Sequence, residues 1–152
     1  MNKKNYFLNL TIILAVIVGL FLYLGGSLSW IIDWASLLFI LVLTFPSLLM
    51  KYGLKDFGRF HKLAFSRDET DGVIVKKGIN FFSSARYNLM ATGIVGATAS
   101  LIIMMGNLQD TSHIGPALAT CLITVFYAFL LQLIWVNPLL SALKDKTISL
   151  ER

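Results

Sequence analysis

Residues 89–105 read LMATGIVGATASLIIMM, and residues 116–136 read PALATCLITVFYAFLLQLIWV. Neither run contains Asp, Glu, Lys, Arg or His. At about 1.5 Å per helical residue, each has the length needed to cross the hydrocarbon core of a bilayer. Bulky aliphatics alone would suffice for that, yet small and hydroxylated residues recur at helical spacing. Gly93, Ala97, Ser100 and Met104 follow i, i+4, i+7 and i+11, with Gly96 beside them. In the second run Ala117, Thr120, Cys121, Thr124, Ala128 and Gln132 form a stripe of the same kind. Small faces let helices approach closely, and their hydroxyls bond across the contact or back to carbonyls one turn earlier.

Two further apolar runs precede them, at 7–24 and 31–50. The 152-residue chain is 57% hydrophobic and 14% charged, with a mean hydropathy of +0.75. That composition excludes a soluble domain and indicates an integral membrane protein. Backbone polar groups in lipid must be satisfied within the segment, so the fold class is all-α with four transmembrane helices. The boundaries read as 7–24, 31–50, 89–105 and about 114–143, with 51–88 as a short connecting segment in a single membrane domain.

The basic residues give the orientation. Lys3 and Lys4 precede the first span, eight Lys and Arg lie from Lys51 to Arg86, and Lys144, Lys146 and Arg152 follow the fourth. The connections at 25–30 and 106–113 contain none. Lys and Arg mark the cytoplasmic side of short loops, which predicts both termini and the 51–88 segment inside. The sequence pI of about 9.5 therefore reflects topology, and nucleic-acid binding is not required to explain it. Residues 7–24 are long for a signal peptide and read as a retained helix.

The first two spans are crowded with Leu, Ile, Val and Phe, as suits an outer, lipid-facing layer. Trp30 and Trp34 fall where an interfacial aromatic belt would lie. Asp33 reads as a hydrated or helix-capping carboxylate, and Pro46 is expected to bend the second span. Between spans two and three, Leu54, Phe57, His61 and Ala64 share one helical face. Ser66 and Glu69 have capping-box spacing, Asp68, Thr70, Asp71 and Gly72 read as a turn, and a second helix is expected over about 73–88. The basic surface of this segment would be solvated or rest on anionic headgroups.

Enzymatic signatures are missing from the sequence. No Cys, His and carboxylate set has metal-ligand spacing, and no phosphate-binding glycine loop occurs. No intramembrane base stands ready to activate a hydroxyl. The lone Cys121 forms no intrachain disulfide and reads as a small packing residue. No cofactor is expected.

The run Gly93-Ile94-Val95-Gly96-Ala97-Thr98 is followed by Met105-Gly106-Asn107-Leu108-Gln109-Asp110 and then Ile114-Gly115-Pro116-Ala117. Leu122-Ile123-Thr124-Val125-Phe126-Tyr127 and Asn137-Pro138 come next. This succession resembles the last two membrane helices of MotA, in the MotA/TolQ/ExbB family. Gly25-Gly26-Ser27-Leu28, Ile32-Asp33, Ser36-Leu37-Leu38, Thr44 and Phe45-Pro46 resemble its opening helices in the same order. Two features depart from that pattern. The large domain between the second and third helices is reduced to 51–88, so rotor-binding charges do not carry over. Gly96-Ala97 and Thr124-Val125 stand where sodium-driven relatives have Gly-Thr and Thr-Thr, which favours protons over sodium because a hard cation needs several oxygen ligands.

The resemblance implies a homopentamer in a bacterial inner membrane, surrounding helices of a single-span MotB-like partner. That partner would supply an intramembrane Asp, since a proton relay needs a titratable group at membrane depth and spans three and four have no carboxylate. It further implies that Thr124, then Thr120, with Thr98 and Ala97, line the ion path. Gly93, Gly96, Ser100, Ala117, Cys121 and Ala128 would pack helices, and Pro138 would kink the fourth. The alternative is a non-conducting scaffold that uses the same small faces only for packing.

Overall fold

The computed structural model describes residues 3–27, 29, 31–66 and 71–150. Trp30, Asp68, Glu69, Thr70 and Arg152 lie outside these, and with them the paired aromatic belt and the capping box. Helices α1 (Lys3–Tyr23), α2 (Trp34–Phe65), α3 (Gly72–Gly106), α4 (Ile114–Leu131) and α5 (Asn137–Leu150) account for nearly all of the described chain. A 3₁₀ turn at Thr111–His113 precedes α4, and a π-helical turn at Gln132–Val136 joins α4 to α5. Four helical stretches are long and apolar enough to span a membrane: Lys4–Tyr23, Trp34–Phe65, Gly72–Gly106 and Thr111–Leu150.

Two aspartates cap the helices, Asp33 as the sequence suggested and Asp71 where it suggested only a turn. Asp33 caps α2, accepting from the Ala35 N–H at 3.1 Å, and Asp71 caps α3, accepting from Val73 at 3.0 Å. The expected capping carboxylate at Asp33 is thus in place. The separate helix expected at about 73–88 is continuous with the third span. At 35 residues and about 1.5 Å each, α3 is roughly 50 Å long and projects well past a hydrocarbon core of about 30 Å.

The expected bend at Pro46 is displaced. Helical torsions run through that residue, and the break in α2 lies at Gly53, with φ 78° and ψ 161°. A proline withdraws one hydrogen bond, whereas a side chain at Gly53 would meet severe backbone clash, so only glycine can turn the chain there. The turn reorients residues 54–65 and changes which face is buried. Leu54 is 76% exposed while Phe60, Leu63 and Ala64 are buried, so Leu54 drops out of the expected face and Phe60 replaces it.

Beyond the break the core is aromatic. Phe60 and Phe81 are fully buried, with ring centroids 5.4 Å apart. The Trp135 indole stacks on Phe45 at 5.7 Å and on His61 at 5.7 Å. The Trp135 Nε1–H donates to His61 Nε2 at 2.7 Å, and His61 Nδ1 lies 2.7 Å from the Phe57 carbonyl. An indole N–H can only donate, so the ring is neutral with its proton on Nδ1. Burial holds the His61 pKa below the ordinary histidine value, outweighing the Phe57 carbonyl bond, which pulls the other way.

Helix α1 is the outlier. None of its membrane-length window is buried within the chain. It is tied down near its start, where the Tyr6 hydroxyl donates to the Ile134 carbonyl at 2.8 Å and the ring meets Phe65 edge-on at 5.4 Å. The Ile134 carbonyl is free for this bond because residue 138, four positions on, is proline and has no N–H. Around Pro138 the strain is absorbed by the π turn, where Asn137 N–H reaches the Gln132 carbonyl.

Candidate functional site: the seam between α3 and α4

Glycine decides how closely α3 and α4 approach. A Cβ added at Gly93 would lie 2.6 Å from the Ala128 Cβ. At Gly96 it would lie 2.6 Å from the Thr124 methyl and 3.0 Å from Phe39. Real carbon contacts sit at about 3.5–4.0 Å, so a larger residue at Gly93 requires a helix to move, and one at Gly96 must displace the Thr124 side chain and the Phe39 ring. Ala97, Ser100, Cys121, Thr124 and Ala128 are all buried in or beside this seam. The Ser100 hydroxyl donates back to the Gly96 carbonyl at 3.1 Å. Ala117 is half-buried.

The four residues expected to line an ion path are divided. Thr124 is 1% exposed. Its hydroxyl lies 2.9 Å from the Ser36 Oγ on α2 and 2.6 Å from its own Thr120 carbonyl. Ala97 is buried as well. Thr120 is half-buried and bonds the Pro116 carbonyl at 3.0 Å. Thr98 is exposed and bonds Ile94 at 2.8 Å. In the isolated chain these hydroxyls share no open surface, because Gly96 admits α4 so deeply that Thr124 is sealed against α2.

Three polar residues that the sequence did not single out as a set join Thr124. Ser36 donates to the Asp33 carboxylate at 2.5 Å. The Tyr127 hydroxyl donates to the Ile31 carbonyl and accepts from the Asp33 N–H at 2.9 Å. Asp33, Ser36, Thr124 and Tyr127 therefore form one network pinning the start of α2 to the middle of α4. The signal was the i, i+3 spacing shared by Asp33–Ser36 and Thr124–Tyr127, which puts each pair on one helical face. Their mutual contact depends on a packing that sequence periodicity does not reveal. Nearby, Thr44 and Thr92 bring their hydroxyls within 3.2 Å between α2 and α3. Because the Thr92 proton goes to the Asn88 carbonyl, Thr44 is the donor of that pair.

Gln132 closes the seam at its other end. It is 4% exposed, and its Nε2 has no hydrogen-bond partner among the described residues. It borders a cavity of about 30 Å³ with Met90, Gly93 and Ala128, a volume that admits a single water. No group of His, Cys, Asp and Glu among the described residues is arranged to hold a metal ion. The exposed turn before α4 carries an Asp110–His113 pair at 3.3 Å. The side-chain and backbone bonds from Ser112 hold the Asp110 carboxyl below its usual range.

The fold and seam define an all-helical protein with four membrane-capable helices and a close-packed, hydroxyl-bearing hairpin. No family model matches the chain. Over 74 residues, 49% of its length, it is 35% identical to the uncharacterized protein YtxD of Bacillus subtilis (strain 168), covering 27% of that protein. Over 54 residues, 36% of its length, it is 39% identical to Motility protein A of Cereibacter sphaeroides, covering 21% of that protein. The chain thus spans only about a quarter of the length of each of these relatives. The partial similarity and the four apolar helices fit a MotA-like membrane protein.

Proposed function

We propose that the chain is a wall subunit of a proton-driven stator or energy-transducing complex in a bacterial inner membrane. Copies assemble into a ring, five in number by resemblance, around the membrane helices of a single-span MotB-like partner. The observation that carries this reading is the chemistry of the α3–α4 hairpin: it is close-packed and hydroxyl-bearing, yet residues 89–105 and 116–136 contain no carboxylate, Lys, Arg or His. A proton-coupled wall of that kind needs its carboxylate from elsewhere, and the similarity to Motility protein A supports a partner as the source. Protonation of the partner's Asp removes a charge that is costly against an apolar wall. Successive protonation against neighbouring subunits then biases rotation. The path favours protons over sodium because it offers few oxygen ligands. Sidedness follows from the basic residues, which put both termini and the 51–88 segment in the cytoplasm.

The internal bonds of Thr124 favour a second reading, a non-conducting scaffold in which the hydroxyl serves only to hold α4 to α2. Ion flux into vesicles containing the chain and its partner separates the two. The conducting reading predicts flux that Thr124→Val abolishes and Thr124→Ser retains, with the number of chains per particle unchanged. Background flux from the intact wild-type assembly, or full flux from Thr124→Val, would sink it.

A further inference from the structure

Where α2 leaves its apolar stretch and α3 enters its own, the two helices enclose an open groove of about 670 Å³. Its charged lining residues are Lys51 and Lys77, with no carboxylate among the lining residues. Asn80, Ser84 and Asn88 add amide and hydroxyl groups, and Leu48 and the rings of Tyr52 and Tyr87 add apolar surface. The groove is organised in the absence of a ligand. Lys51 Nζ donates to the Ser84 Oγ at 3.1 Å, the Tyr52 hydroxyl meets the same oxygen at 3.0 Å, and Asn88 Nδ2 donates to the Ser47 Oγ at 2.7 Å. On the membrane side the groove gives way to the apolar runs of α2 and α3.

Position and chemistry together select the ligand. Asn88 immediately precedes the apolar run that begins at Leu89, so the upper groove lies at the level of the lipid headgroups. Lys77 is eleven positions earlier on α3, about 16 Å further from the membrane centre. The headgroup layer is only about 5–8 Å thick per leaflet. An occupant must therefore place an anion near Lys51 and extend a neutral, hydroxylated group down past Ser84 and Asn80 toward Lys77. Choline and ethanolamine headgroups would bring a cation toward Lys77 instead. We infer that this groove is a binding site for an anionic phospholipid with a polyol headgroup, of which phosphatidylglycerol is the simplest. Its phosphate is held by Lys51, its hydroxyls by the amides and serine, and its acyl chains run along the apolar stretches of α2 and α3 toward the membrane centre. The inference is independent of the stator reading, since it requires only that α2 and α3 cross the membrane.

The test is native mass spectrometry of the whole protein, delipidated and then titrated with phosphatidylglycerol or phosphatidylcholine. A lysine beside an anionic lipid is worth about a fivefold change in affinity, so Lys51→Gln, at the phosphate, is expected to weaken phosphatidylglycerol binding about fivefold, and the Lys51→Gln, Lys77→Gln double variant by at least as much. Lys76→Gln, on the same helix but outside the groove lining, should leave it within twofold, and phosphatidylcholine should bind weakly to every variant. Helical content by circular dichroism confirms that the double variant is folded. Equal binding of the two lipids, or an unchanged affinity in the folded double variant, overturns the proposal. So does displacement of the lipid by millimolar inorganic phosphate, which would assign the groove to a free anion.

Discussion

Replacing Gly93 by Ala is the sharpest probe of the seam. The added Cβ would stand 2.6 Å from the Ala128 Cβ, short of a normal carbon contact by about 1 Å or more. Both atoms are fixed directly to helix backbones, so rotamer change cannot relieve the overlap. The helices must separate, and overpacking of this kind costs about 1–3 kcal/mol. The overlap of two backbone-fixed atoms puts the cost at about 2–3 kcal/mol of that range, and alanine recovers about 1 kcal/mol of helix propensity, leaving a net loss of about 1–2 kcal/mol. For a chain of this size that is a fall in melting temperature of about 2–8 °C. Cys121 supplies the assay: it is the only cysteine and is buried on the same seam, so a thiol-reactive dye reports its release on heating in detergent. Ala128→Gly removes the opposing atom, and combined with Gly93→Ala it should restore most of the loss, giving a coupling of at least about 1 kcal/mol. Unchanged melting of Gly93→Ala, or simple additivity of the two changes, would refute the reasoning.

Gly53→Ala should destabilise by about 1–3 kcal/mol in the same melting assay, because a side chain is strained at φ 78°; an unchanged melting point would show that the break is dispensable. Tyr6→Phe should cost about 0.5–1.5 kcal/mol, and much less in a Pro138→Ala background, where residue 138 regains an N–H for the Ile134 carbonyl; equal costs in both backgrounds would mean that proline does not create the acceptor. The folded pKa of His61 is lowered, so the unfolded chain binds its proton first. Stability is therefore full above about pH 6.5 and falls as pH drops below it. His61→Phe should flatten that dependence in melts from pH 7.5 to 5, and an identical slope in the variant would show that another group carries it.

Much of this arrangement is legible in residues alone. Apolar runs without charge can only be helices when the surrounding solvent offers no hydrogen bonds, so four membrane-capable helices follow directly. The glycine and alanine spacing in 89–105 and 116–136 identified the two faces that meet, since a 3.6-residue period places those positions on one side. Asp33 announced its helix start, whereas Asp71 read only as part of a turn and the structure shows it as a cap. The position of the bend did not follow, because Pro46 and Gly53 are both breakers by type and only torsion angles show which one turns the chain. The burial of Thr124 was equally hidden. A hydroxyl on a small-residue stripe can face a partner or a neighbouring helix, and the choice rests on the depth to which Gly96 admits α4 and on Ser36 being opposite. Periodicity fixes the face of a residue within its own helix; what that face meets is set by contacts between positions 88 residues apart, as between Ser36 and Thr124, and only the packed chain brings them together.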